Sequence, residues 1–156
     1  MKIFVILKYL LYFCIKNIQM NRSEFCNIML ELRKSSNVKM ADICANMGVL
    51  PTAVYRIERG SGNFEISKAL LYLASINYSL TMTNEDKCVE ITNIESIATW
   101  LKTARNGIYT QRSLAEAVGC TYPTIANIER GSNKVTVDNF LKLADTLGYT
   151  IKIEPK

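Results

Sequence analysis

Between residues 92 and 154 the apolar positions fall into four runs with helical spacing, separated by glycines, and a last stretch with a period of two. Ile94, Ile97, Ala98, Leu101 and Ala104 share one helical face, with Trp100 as a large core or flanking residue. Thr92-x-x-Glu95 reads as the capping box that opens this helix, and Asn106-Gly107 stops it. Thr110 is placed to cap a short helix, Gln111 to Val118, with Leu114, Ala115 and Val118 on one side and Gly119 at its end. Thr121 caps the next, Tyr122 to Arg130, with Ile125 and Ile128 inward and Gly131 closing it. A longer helix is expected from Val137 or Asp138 to Leu147, carrying Phe140, Leu141, Leu143, Ala144 and Leu147 inward, and Gly148 ends it. The tail from Tyr149 to Glu154 alternates apolar and polar residues and predicts a strand.

The same pattern occurs twice. Sliding the chain by 71 positions lays Ser23 to Thr83 over Ile94 to Glu154 without a gap. The clearest block sets Tyr55-Arg56-Ile57-Glu58-Arg59-Gly60-Ser61 over Ala126-Asn127-Ile128-Glu129-Arg130-Gly131-Ser132, with five consecutive identities. Glu24 and Glu95, Leu30 and Leu101, Gly48 and Gly119, Leu70 and Leu141, and Tyr78 and Tyr149 also match. The expected division is an apolar extension over 1–19, a first and more divergent copy over 20–83, a polar linker over 84–93 and a second copy over 94–156. Asn21-Arg22-Ser23-Glu24 is the helix-start signal of the first copy.

Residues 1–19 are apolar but broken by Lys8. The run Ile3 to Ile15 falls short of the roughly 20 residues of a membrane-spanning helix, and no small-residue cleavage site follows it. The favoured reading is an upstream-extended start, with Met20 opening the folded protein; an amphipathic or membrane-surface tail is the alternative.

Composition narrows the chemistry. Apolar residues make up 49% of 156, enough for a packed core. The chain has no histidine, which removes imidazole-based acid/base catalysis, the serine-histidine triad and histidine-containing zinc sites. No carboxylate pair, metal set or activated nucleophile stands out, so the expectation is a protein that is not an enzyme and needs no cofactor or metal. Cys14, Cys26, Cys44, Cys88 and Cys120 are scattered, with no Cys-x-x-Cys, and read as reduced thiols of a cytoplasmic protein, mostly filling core. The net charge of +5 is unevenly spread: residues 1–22 carry four bases and no acid, whereas 23–83 has six bases against five acids and 94–154 seven against six. Any nucleic-acid argument therefore rests on where single charges sit.

Two short helices joined by a glycine turn, the second with a polar outer face, are the parts of a helix-turn-helix. The segment from Thr110 to Gly131, with Gln111, Leu114-Ala115, Gly119, Thr124-Ile125 and Ile128-Glu129-Arg130-Gly131, resembles the core motif of the Xre family of lambda-repressor-like and Cro-like regulators. The first copy resembles it mainly through the repeat. The implied fold is all-α: two tandem helix-turn-helix domains, each followed by a short strand that could pair with the other. The family pattern also pairs Glu58 with an arginine in the preceding long helix, which Arg33 supplies; Ala104 stands at that place in the second copy, leaving Glu129 to turn to Arg105, Lys102 or solvent.

A recognition helix reaches base edges with residues at its start and one turn on. On that ground Tyr122, Pro123 and Asn127 are the base-reading candidates of the second copy, and Pro51, Thr52 and Arg56 those of the first. Asn127 suits adenine and Arg56 suits guanine. Phosphate contacts are expected from Gln111, Arg112, Thr121, Asn133 and Lys134, and in the first copy from Lys39 and the Ser61-Gly62-Asn63 loop. The expected partner is double-stranded DNA, bound as an intramolecular pseudo-dimer or as a homodimer, by a transcriptional regulator that represses. The alternative is an antitoxin-like protein-interaction module with a toxin partner, in which DNA binding is secondary. No small-molecule substrate is evident.

Overall fold

The computed structural model describes residues 19–132 and 134–156, so the expectations for residues 1–18, Cys14 among them, and for Asn133 lie outside the described residues. The described chain is mostly helical, with one small antiparallel sheet. In chain order its elements are α1 (Arg22–Ser36), α2 (Met40–Met47), α3 (Pro51–Glu58), α4 (Ile66–Ser75), β1 (Tyr78–Asn84), β2 (Lys87–Ile91), α5 (Ile94–Arg105), α6 (Gln111–Val118), α7 (Tyr122–Glu129), α8 (Val137–Thr146) and β3 (Thr150–Pro155). The bounds of α2, α3 and α4 fall on those of α6, α7 and α8 at the shift of 71 residues that the sequence repeat defines.

Local chemistry accounts for the helix ends. Asn21 caps α1 in a full capping box with Glu24, and Thr110 caps α6 together with Ser113. Gly48 and Gly119 close α2 and α6 in the left-handed conformation, at φ 65 and 76, which costs glycine little. One cap differs from expectation. Helix α5 is opened by Asn93 with Ser96, not by Thr92 with Glu95: the Asn93 side chain accepts from the Ser96 N–H, and the Ser96 hydroxyl accepts from the Asn93 N–H. Asn93 is the residue with extended backbone, so the box sits one position later and Glu95 is left exposed in the first turn.

The all-α expectation and the linker both need correction. β1 pairs antiparallel with β3, as the strand-like tails suggested, but residues 87–91, read as linker, form β2 on the other edge of β1. The turn between them is built by Asn84, whose side-chain oxygen accepts from the N–H groups of Asp86 and Lys87. Along β2, Val89 and Ile91 turn toward the core while Cys88 and Glu90 stay in solvent, the alternation expected of a half-buried strand.

The two halves meet through matching positions. Glu65 and Thr136, equivalent residues of the two repeats, form an antiparallel bridge. Around it the Ile66 N–H donates to the Val135 carbonyl and the Val137 N–H to the Phe64 carbonyl, both at 2.8 Å. In the sheet Leu80 pairs with Ile153 and Met82 with Ile151, a register that exchanges equivalent residues in the same way. The contact is thus locally two-fold, the geometry of an isologous interface. One latch breaks the symmetry: Arg22 bonds both Asp138 and the Gly60 carbonyl, and Asn63 accepts from the Asp138 N–H at the start of α8. A single apolar core runs through both halves, from Phe25, Met29 and Tyr72 to Leu101, Ile125 and Phe140. Trp100 is buried in it, edge-on to Tyr149 at 5.5 Å.

Candidate nucleic-acid interface

Helices α6 and α7 are joined by Gly119-Cys120-Thr121, and α7 has a dry and a wet side. Ile125, Ala126, Ile128 and Glu129 are buried. Tyr122, Pro123 and Asn127 are exposed, Tyr122 to 44%. Pro123 sits in the first turn, where a missing N–H is harmless. All three residues read as base-contacting therefore share one solvent face at the start of the helix and one turn on. In α3, Pro51, Thr52 and Arg56 occupy the corresponding exposed positions, and Val54 and Ile57 are buried behind them.

The face is held by an ion pair beneath it. Arg105 donates to Glu129 through Nε at 2.6 Å and Nη2 at 3.2 Å, and its Nη1 donates to the Tyr109 carbonyl. Of the partners open to Glu129, the structure uses Arg105, one position after the place that Arg33 takes in the first half. Arg33 bonds Glu58 at 2.5 and 3.1 Å, and the buried Tyr72 hydroxyl donates to the same carboxylate at 2.7 Å. That hydrogen bonding raises the arginine above its ordinary range. Burial first, then the bond to Glu58, pushes the Tyr72 phenol well up. Both carboxylates thus tie the recognition-type helix to the helix two before it through bidentate arginine bonds.

Gln111 also has a partner within the fold. Its side-chain amide donates to Glu129 at 2.6 Å, and the Ser113 N–H is taken by the Thr110 cap, which leaves the backbone N–H groups of Gln111 and Arg112, and one remaining amide hydrogen, for an anion. Met40 stands at this place in the first half, and there the third bond to the carboxylate comes from Tyr72, on the oxygen that Arg33 Nε bonds, whereas Gln111 bonds the oxygen that takes Arg105 Nη2. Thr121 is the N-cap of α7 but makes no capping bond to the backbone; its hydroxyl pairs with that of Thr124 at 2.9 Å. Arg112 lies over the Tyr122 ring, 5.6 Å from its centre, a cation–π contact that ties a basic group to the exposed face. Lys134 and Lys39 are exposed. Asn63 turns its side chain to the start of α8, where it accepts from the Asp138 N–H, while Ser61 and Gly62 are exposed.

Among the contacts not anticipated from the sequence are the Gln111–Glu129 bond, the Tyr72–Glu58 bond and the Arg112–Tyr122 stack. The stack joins side chains on adjacent helices, and an arginine near the start of α6 facing a tyrosine at the start of α7 is the one signal that hinted at it. The thiols were read as core filler, which fits Cys26 but not Cys88, which is exposed, while Cys44 and Cys120 are half-buried. Among the described residues no cluster of three or more His, Cys, Asp or Glu is placed to hold a metal ion, and no helix is long and apolar enough to cross a membrane.

Residues 101–153 match the HTH_3 helix-turn-helix family. This stretch is a helix-turn-helix domain of the Xre/Cro-like kind. It takes in α6 and α7 whole, with the end of α5, all of α8 and most of β3. The domain is of a DNA-binding type typical of regulators, and the family is typically non-enzymatic. Neither a curated protein nor a solved structure matches the chain.

Proposed function

We propose that this protein is a cytoplasmic, sequence-specific transcriptional repressor that places α7 in the major groove of duplex DNA, with α3 as its counterpart in a second, divergent helix-turn-helix copy spanning residues 20–83. The observation that carries this reading is the exposed face of Tyr122, Pro123 and Asn127 on a helix whose opposite side is packed into the core. Asn127 would bond adenine and Arg56 guanine, while Tyr122, Pro123, Pro51 and Thr52 shape the fit to the groove. Arg112, Lys134, Thr121 and the helix start at Gln111 would hold phosphates, with Lys39 in the first half.

The matched pairing of the halves supports a reading in which one chain does the work of a dimer. A single small domain reads only part of a site, and such proteins commonly gain affinity by pairing across a two-fold operator. Here α3 and α7 present different residues, so the preferred site is an imperfect palindrome with unlike halves roughly 34 Å apart. Selection of bound duplexes from a random pool by the full chain tests this. Two unlike half-sites at that spacing, bound with a steep loss on raising salt, are expected. Enrichment of a single half-site or of a perfect palindrome would remove the pseudo-dimer, and no enrichment at all would leave the toxin-partnered module as the better account.

A further inference from the structure

Helix α3 begins on a residue that does little for the helix. Leu50 is the N-cap, with extended backbone at φ −77 and ψ 155, and makes no side-chain capping bond. Leucine is among the least favoured residues at this position. It also gains no burial: at 73% exposure it is the most open large apolar side chain among the described residues. Five residues on, Tyr55 is 46% exposed, whereas Ala126, its equivalent in α7, is buried. Thr121 stands where Leu50 does in the second half. A position that breaks local preference without gaining core contacts is where function is expected to show.

The charge of the helix says what would cover it. Arg56 within α3 and Arg59 at its C-cap are exposed, as is Lys39 at the N-cap of α2, and the lone acid of α3, Glu58, is buried and bonded to Arg33. An exposed apolar residue at the start of a helix whose exposed charges are all basic suits a groove walled by phosphates and floored by base edges. The apolar group such a floor offers is the 5-methyl of thymine.

We infer that Leu50 reads a thymine methyl group, so that the first half adds an apolar contact to the hydrogen bonds of Arg56, where the second half reads its half-site through Asn127. This rests on the DNA-binding reading above. The test uses the full chain and the duplex it selects from a random pool, with thymines replaced by uracil in one half-site at a time, a change that removes only the methyl. Titration by fluorescence anisotropy is expected to show a loss of about four-fold for each contacted methyl, in one half-site only, and Leu50→Ala should abolish that sensitivity while still binding. Uracil without effect in either half, unchanged sensitivity in Leu50→Ala, or a half-site pair free of thymine overturns the inference and leaves DNA binding standing. Failure to enrich any duplex overturns both.

Discussion

Thr81 lies directly across the antiparallel ladder from Lys152, the residue at the same place in the other repeat. The bridge between Glu65 and Thr136 repeats the relationship at the helix starts. Two such self-matched pairs define a local two-fold relation inside one chain, the arrangement that separate subunits otherwise reach by associating. One chain should therefore occupy one duplex. Native mass spectrometry or sedimentation of the complex is expected to give a 1:1 ratio; two chains per duplex would contradict it.

Glu58 is buried and receives Arg33 and Tyr72 together. Removing the carboxylate leaves a half-buried guanidinium and a buried hydroxyl without their partner. Glu58→Ala should lower stability by about 3–5 kcal/mol, and Glu129→Ala, which strands Arg105, by a similar amount. Urea unfolding followed by the fluorescence of Trp100, the sole tryptophan, measures both. A cost under about 1 kcal/mol, the range of exposed pairs, would show that these bonds do not hold the fold.

Leu50 predicts a change of opposite sign. Because the N-cap of α3 has no side-chain bond, Leu50→Ser should stabilise the protein by about 1 kcal/mol while weakening its grip on DNA. Unfolding and binding measured on one preparation separate the two effects, and a destabilised variant would mean that Leu50 has a packing role.

Stability should fall at alkaline pH. Burial holds the fully enclosed Cys26 thiol up at about 11, against 9.0 for the free group, and also keeps the Tyr72 phenol protonated well beyond its usual range. Both groups stay neutral in the fold while the unfolded chain begins to ionise them, so deprotonation favours unfolding. The contribution is intact below pH 9 and declines as pH rises from 9 toward 11, by about 2 kcal/mol for the thiol alone. Urea midpoints across this window should drop, less steeply in Cys26→Ala. A flat profile to pH 11 would rule the mechanism out.

Much of this was legible along the chain, and the reasons are local. Thr110, Gly119 and Gly131 act through their own backbone and their nearest neighbours, so they marked α6 and the close of α7 to within a residue. The repeat carried those boundaries to α2, α3 and α4, where the caps are weaker: Lys39, Leu50 and Glu65 make no side-chain capping bond. What sequence reading missed depends on partners far away in the chain or on choices between adjacent residues. Arg22 meets Asp138 from the other half, and β2 is a strand because β1 offers it an edge. Gln111 is drawn to Glu129 because Arg105 has already fixed that carboxylate. The exposure of Tyr122 and Asn127 was foreseen because Ile125 and Ile128 fix which side of α7 is dry.

The account stands most directly on the paired variant Asn127→Ala with Arg56→Ala, both at exposed positions and therefore expected to fold as the parent does. Anisotropy titration against the selected duplex should show a loss of about 100-fold, the order expected when two good bidentate base contacts are removed, with circular dichroism unchanged. Affinity equal to that of the parent, in a variant that keeps its fold, would mean that α7 and α3 do not read DNA with these faces.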